Sequence, residues 1–179
     1  ELAVSQLQAK VGGGYALTMD EKGFVTGKYT GEKVSRSQQR YINKLNNIIS
    51  DKNIRVRLKT TSGYKTSSNR ALLGGAFMGN IVHGNQAVAN QEVNPEVLDL
   101  VDEAFKKETG SMLFHEVTEA YIGAQISIKE KVSAKEAIYG VKNPIFDKAH
   151  SKASPQSGSL ELERYDSKGD FMYGGEGEA

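Results

Sequence analysis

The chain has 179 residues, 19 glycines, three histidines, no cysteine and a formal net charge of +1. That length suits one domain with a core of its own, and the lack of cysteine excludes disulfides, thiolate metal sites and cysteine nucleophiles. There is no apolar run of about 18 residues, which excludes a helical membrane span, and no basic stretch followed by an apolar one marks a secretory signal at the start.

Leu2–Val11 is mildly amphipathic and reads as a short helix, broken by Gly12, Gly13 and Gly14. Tyr15–Met19 and residues 24–29 alternate apolar with polar positions around a four-residue loop that ends in Gly23, the pattern of a β-hairpin. Residues 35–50 form the next helix. Ser35 is its N-cap, and Tyr41, Leu45, Ile48 and Ile49 are its apolar stripe. Residues 53–60 alternate Ile54, Val56 and Leu58 with Arg55, Arg57 and Lys59, so a strand with one buried face is expected.

A polar loop over 61–68 leads to an apolar stretch, 71–82, that contains Gly74, Gly75 and Gly79. It reads as a strand with a bulge or bend. Gln86–Val93 adds a short strand. Asn94 caps a helix with Pro95 in its first turn, running to about Lys107, and Thr109-Gly110 separates it from a helix over 111–128. Ser133 is expected to cap a short helix over 133–139, and Asn143-Pro144 to start another through His150. Beyond Ala153, residues 154–159 are rich in Ser, Pro and Gly, and the low-complexity end is expected to fray. Strands come first and helices after, an α+β pattern. It comprises one domain over 1–153 and a C-terminal extension over 154–179.

Charge is unevenly distributed. Residues 22–70 carry twelve Lys and Arg against Glu32 and Asp51, while residues 92–119 carry eight acids against Lys106 and Lys107. The basic block reads as a solvated face that balances the acidic half, because no nucleic-acid motif interleaves it. The alternative is a surface for phosphates or an acidic partner.

Within the 111–128 helix lies His115-Glu116-Val117-Thr118-Glu119, an H-E-x-x-E string. Residues four apart on a helix project from one face, so His115 and Glu119 are spaced to share a divalent metal. Glu116 is about 100° around the helix from His115, placed to act on a water at the metal without ligating it. The pattern is that of zinc hydrolases with the second histidine replaced by glutamate. Met112, Leu113, Phe114, Val117, Ala120, Tyr121 and Ile122 surround the string, so the helix is expected to be buried, and buried ionisable groups need partners or a metal.

A zinc site of this kind takes three protein ligands and leaves one position open. His150 is the best candidate for the third, which would make the ligand set two histidines and a glutamate. Asp147, one turn earlier, either orients the His150 ring or is a surface acid near a helix start. An oxyanion donor is needed as well. Tyr121, Tyr139 and His83 are the candidates, although His83 reads better as a loop histidine without a role.

On residues 113–121 and Ala149-His150 the chain resembles the zincin metallopeptidases. It is most similar to the metallopeptidase domains that form C-terminal toxin modules of bacterial polymorphic toxins and phage-tail-like effectors. The resemblance implies a zincin-like fold, Zn2+ as cofactor, His115, Glu119 and His150 as ligands and Glu116 as catalytic base. It places the glycine-rich strand beside a cleft, where a peptide substrate pairs with the strand edge. It also implies a protein or peptide substrate and a secreted or delivered effector, otherwise a cytoplasmic protein, whose partners would include a delivery apparatus or an immunity protein. Two other readings compete. One is a metal-dependent nuclease or other hydrolase toxin that uses the 22–70 region. The other is a structural or adaptor domain without activity.

Overall fold

The computed structural model describes residues 1–153 in full and, beyond them, the backbone of Ser159–Tyr165 and Phe171–Glu178. The architecture is α+β. Helix α1 (Leu2–Val11) precedes a hairpin of β1 (Tyr15–Met19) and β2 (Val25–Tyr29). Helix α2 (Arg36–Ser50) follows; Ser35 is its N-cap, as expected, and the structure adds a full capping box with reciprocal bonds to Gln38. Strands β3 (Ile54–Thr60), β4 (Gly75–His83) and β5 (Gln86–Val93) form a sheet in the order β3-β5-β4, parallel between β3 and β5 and antiparallel between β5 and β4. Helices α3 (Pro95–Ala104), α4 (Ser111–Glu130) and α5 (Pro144–Lys152) complete the described domain.

One face of the sheet packs on α4, which crosses all three strands. The alternation of β5 explains the close approach. Its inward row is Ala87, Ala89, Gln91 and Val93, all buried, and the two alanines meet Ala120 and Ala124 of α4 in one core cluster. Larger side chains at those four positions would hold helix and sheet apart. Arg55, Arg57 and Lys59 lie on the other face, exposed. A second cluster joins α1, α2, α3 and the first half of α4 around Leu7, Val11, Ile42, Leu98, Leu113 and Phe114.

The start of α4 has no cap of its own, since Gly110 stands at the N-cap with φ 83°. Asp102 of α3 fills that role from outside, its Oδ1 accepting the Met112 N–H at 3.0 Å. Burial pushes its carboxyl up, against the pull of the backbone N–H groups of Met112, Gly110 and Ser111. Asp102→Ala removes this acceptor and is expected to cost about 1–2 kcal/mol, read as a lowered urea midpoint.

Two segments differ from expectation. Residues 133–139 form no helix. Residues 133–137 instead run along the outer edge of β4: Asn80 N–H donates to Ala134 O (3.0 Å), Ala137 N–H to Phe77 O (2.9 Å), and Val82 N–H to Ser133 Oγ (3.0 Å). Local helix propensity is weak beside an unpaired strand edge that offers these bonds, and Ser133 completes the edge instead of capping a helix. Gly79 permits the close pass, for at φ 83° it sits where a Cβ would strike the Ala134 and Lys135 backbone. The expected bulge is present as a register shift between Phe77 and Asn80.

The second difference is an antiparallel hairpin of β6 (Ser159–Tyr165) and β7 (Phe171–Glu178), where no element is expected beyond Ala153. Of the Ser/Pro/Gly-rich stretch, residues 154–158 lie outside the described residues. No helix among the described residues is long and apolar enough to cross a membrane.

Candidate metal centre

Helix α4 is buried along most of its length, as its composition predicts. His115 and Glu119 are each 2 % exposed and Glu116 is 8 % exposed. His150 arrives from α5, and glycine brings that helix close: a Cβ on Gly123 would meet the Phe77 ring at 2.8 Å and the Ala149 Cβ at 3.7 Å. Phe146 stacks between Phe77 and His150, with ring centroids 5.8 and 5.3 Å away. The two imidazoles meet edge-on at 5.1 Å.

One ligand atom from each of His115, Glu119 and His150 lies within 4.8 Å of the others. Glu119 Oε2 is the centre of the group, 2.6 Å from His150 Nδ1 and 3.6 Å from His115 Nε2. The side chain of His150 is 31 % exposed, so the cluster opens to solvent on that side. Two imidazole nitrogens and a carboxylate oxygen, converging, with His115 and Glu119 buried and His150 half-buried, are a donor set that fits a divalent cation with nitrogen and oxygen preference.

The two glutamates differ. Burial, then the charge of Glu119, raises the Glu116 carboxyl to about 7, against the pull of His115, Gln91 and His150. Burial acts to raise Glu119 too, but hydrogen bonds and charges from His115 and His150 outweigh it and hold Glu119 below its ordinary range. Two neighbouring carboxyls pushed in opposite directions are suited to different roles, one as a permanent anion and one as a proton carrier. Glu116 packs over Gly75 of β4. Any Cβ there would overlap its carboxylate, so this glycine makes room for the acid.

The other candidates are elsewhere. The Tyr121 hydroxyl donates to Asp51 Oδ2 at 2.7 Å, and burial followed by that bond pushes its pKa up to about 12. Tyr139 is 96 % exposed in the loop after the 133–137 segment. His83 is exposed at the end of β4, and Asp147 is exposed in the first turn of α5. Neither His83 nor Asp147 belongs to the cluster.

Gln91 was not foreseen. It is fully buried on β5, and its Nε2 donates to Glu116 Oε2, with a longer contact to Glu119 Oε1 at 3.5 Å. The available signal was a lone amide in the inward row Ala87, Ala89, Gln91, Val93.

Strand β4 is an edge strand, as the substrate-pairing expectation requires, but the segment over 133–137 takes most of that edge. Gly74 O accepts the Asn94 N–H on the β5 side, and Phe77 O accepts Ala137 on the outer side. By alternation the backbone of Gly75 faces outward, next to Glu116. The stretch available to an extended chain is thus short and lies at the acid.

Fold and cluster together define an α+β domain with a candidate metal centre on its buried helix. Comparison of the chain with protein-family models, curated proteins and solved structures finds no match.

Proposed function

We propose that the chain is a zinc-dependent hydrolase of peptide bonds with a zincin-like arrangement. The observation that carries this reading is the convergence of His115, Glu119 and His150 within 4.8 Å, with Glu116 beside them under the start of β4. Bound there by two nitrogens and an oxygen, zinc would lower the pKa of water at its open position to about 7 and polarise a carbonyl.

The residues divide the remaining work. His115, Glu119 and His150 hold the cation. Glu116 takes the proton of the attacking water as the C–O bond forms, and returns it to the amine nitrogen as the C–N bond breaks. The outward backbone of Gly75 offers an extended substrate one pair of main-chain hydrogen bonds beside Glu116. Use as a delivered toxin or effector belongs to the same proposal and rests on the resemblance of residues 113–121 and Ala149-His150 alone.

The nuclease reading draws less support. Its strongest cations, Arg55, Arg57 and Lys59, project from the sheet face opposite α4 and so do not line the cluster.

The test is incubation of the zinc-loaded protein with a denatured-protein mixture, with new amino termini mapped by mass spectrometry, beside single-stranded and duplex nucleic acid as parallel substrates. New protein termini that vanish with a chelator support the reading; nucleic-acid cleavage alone overturns it. Gly75→Ala is expected to keep zinc and lose about 10²-fold in kcat/KM, because a displacement of Glu116 by about 1 Å is enough for that loss.

A further inference from the structure

Glu116 and Glu119 are three residues apart on one helix, both buried, and like charges so placed repel. Between them and the sheet stands one uncharged group, the carboxamide of Gln91, which is fully buried. A carboxamide nitrogen carries two hydrogens and no charge. We infer that Gln91 is a positioning residue of this site, its nitrogen offering one hydrogen to Glu116 and the other to Glu119, so that the remaining oxygen of Glu119 is turned to the two histidines.

The geometry carries this directly. Gln91 Nε2 bonds Glu116 Oε2 and lies 3.5 Å from Glu119 Oε1, while Glu119 Oε2 reaches His150 at 2.6 Å and His115 at 3.6 Å. Each oxygen of Glu119 therefore has its own side of the site. Reversed, the amide would set its oxygen against the Glu119 carboxylate and could accept only from Glu116 in its protonated form. In its present orientation Gln91 Oε1 is buried with no partner among the described residues, so the carboxylates alone set the direction of the group. Methionine at this position would keep the volume and remove both donors. Glutamate would add a third acid.

The role rests on the metal reading, and its test separates the two. Zinc affinity is measured by chelator competition for wild type and Gln91→Met. The expected result is a 10–100-fold weaker affinity in the variant, the usual effect of losing a partner that orients a ligand. A residue that merely fills space would lower the melting temperature and leave zinc affinity unchanged. Equal affinities overturn the role of Gln91 and leave the metal site standing; a wild type that takes up no zinc overturns both.

A second measurement needs neither metal nor a folded Gln91 variant. In the metal-free, nitrogen-15-labelled protein, Glu116→Gln is expected to shift one Gln91 side-chain amide proton and Glu119→Gln the other. Both protons unmoved by both substitutions would contradict the assignment.

Discussion

Glu116→Gln is expected to lower kcat/KM by about 10²–10⁴-fold, the range a positioned proton carrier contributes, and to leave zinc bound with unchanged stoichiometry. The substitution is nearly isosteric and still fills the space over Gly75. It removes a carboxyl that burial and Glu119 hold near 7 and puts in its place an amide unable to carry a proton at any working pH. Glu116 is not among the three converging donors, so affinity for the cation should survive. Loss of zinc together with activity would make Glu116 a ligand instead; retained activity would remove it from the chemistry. The substitution also relieves the repulsion with Glu119, so the variant should melt no lower than wild type. That keeps a loss of activity from being read as unfolding.

His115→Ala is expected to abolish zinc uptake at micromolar metal. A partner that only orients a ligand is worth 10–100-fold in affinity, and loss of one of three direct donors should exceed that. His150→Ala should behave alike, and with less disturbance to folding, because its side chain is 31 % exposed whereas His115 is 2 % exposed. The two variants therefore check each other. Thermal melts give the reading: a ligand present at about 1,000 times its Kd stabilises the native state by about 4 kcal/mol. Wild type should gain melting temperature on adding zinc, and neither variant should. An undiminished zinc-dependent shift in His150→Ala would take α5 out of the site.

The site was legible where its residues are few or close in sequence. His115 and Glu119 share one helical face by spacing alone, and with three histidines and no cysteine in the chain, His150 was one of two choices for a further imidazole. Gln91 could not be ranked, because its partners are 25 and 28 residues away and strand alternation only places it on the inward row. Residues 133–139 carry a serine and good helix formers, yet the open edge of β4 decides their conformation, a tertiary effect that no local pattern carries. The hairpin of β6 and β7 has a local trace, since Leu160 and Leu162 alternate with Glu161 and Glu163, but the run is short and follows a stretch rich in Ser, Pro and Gly, so the local pattern alone does not set a strand there.

Everything functional depends on one ion at one place. Crystals grown with zinc, with data collected on both sides of the zinc absorption edge, locate it directly by anomalous scattering. The expected result is a single strong peak about 2.0–2.2 Å from a nitrogen of His115, a nitrogen of His150 and an oxygen of Glu119. A peak elsewhere, or none at full zinc loading, would contradict the account.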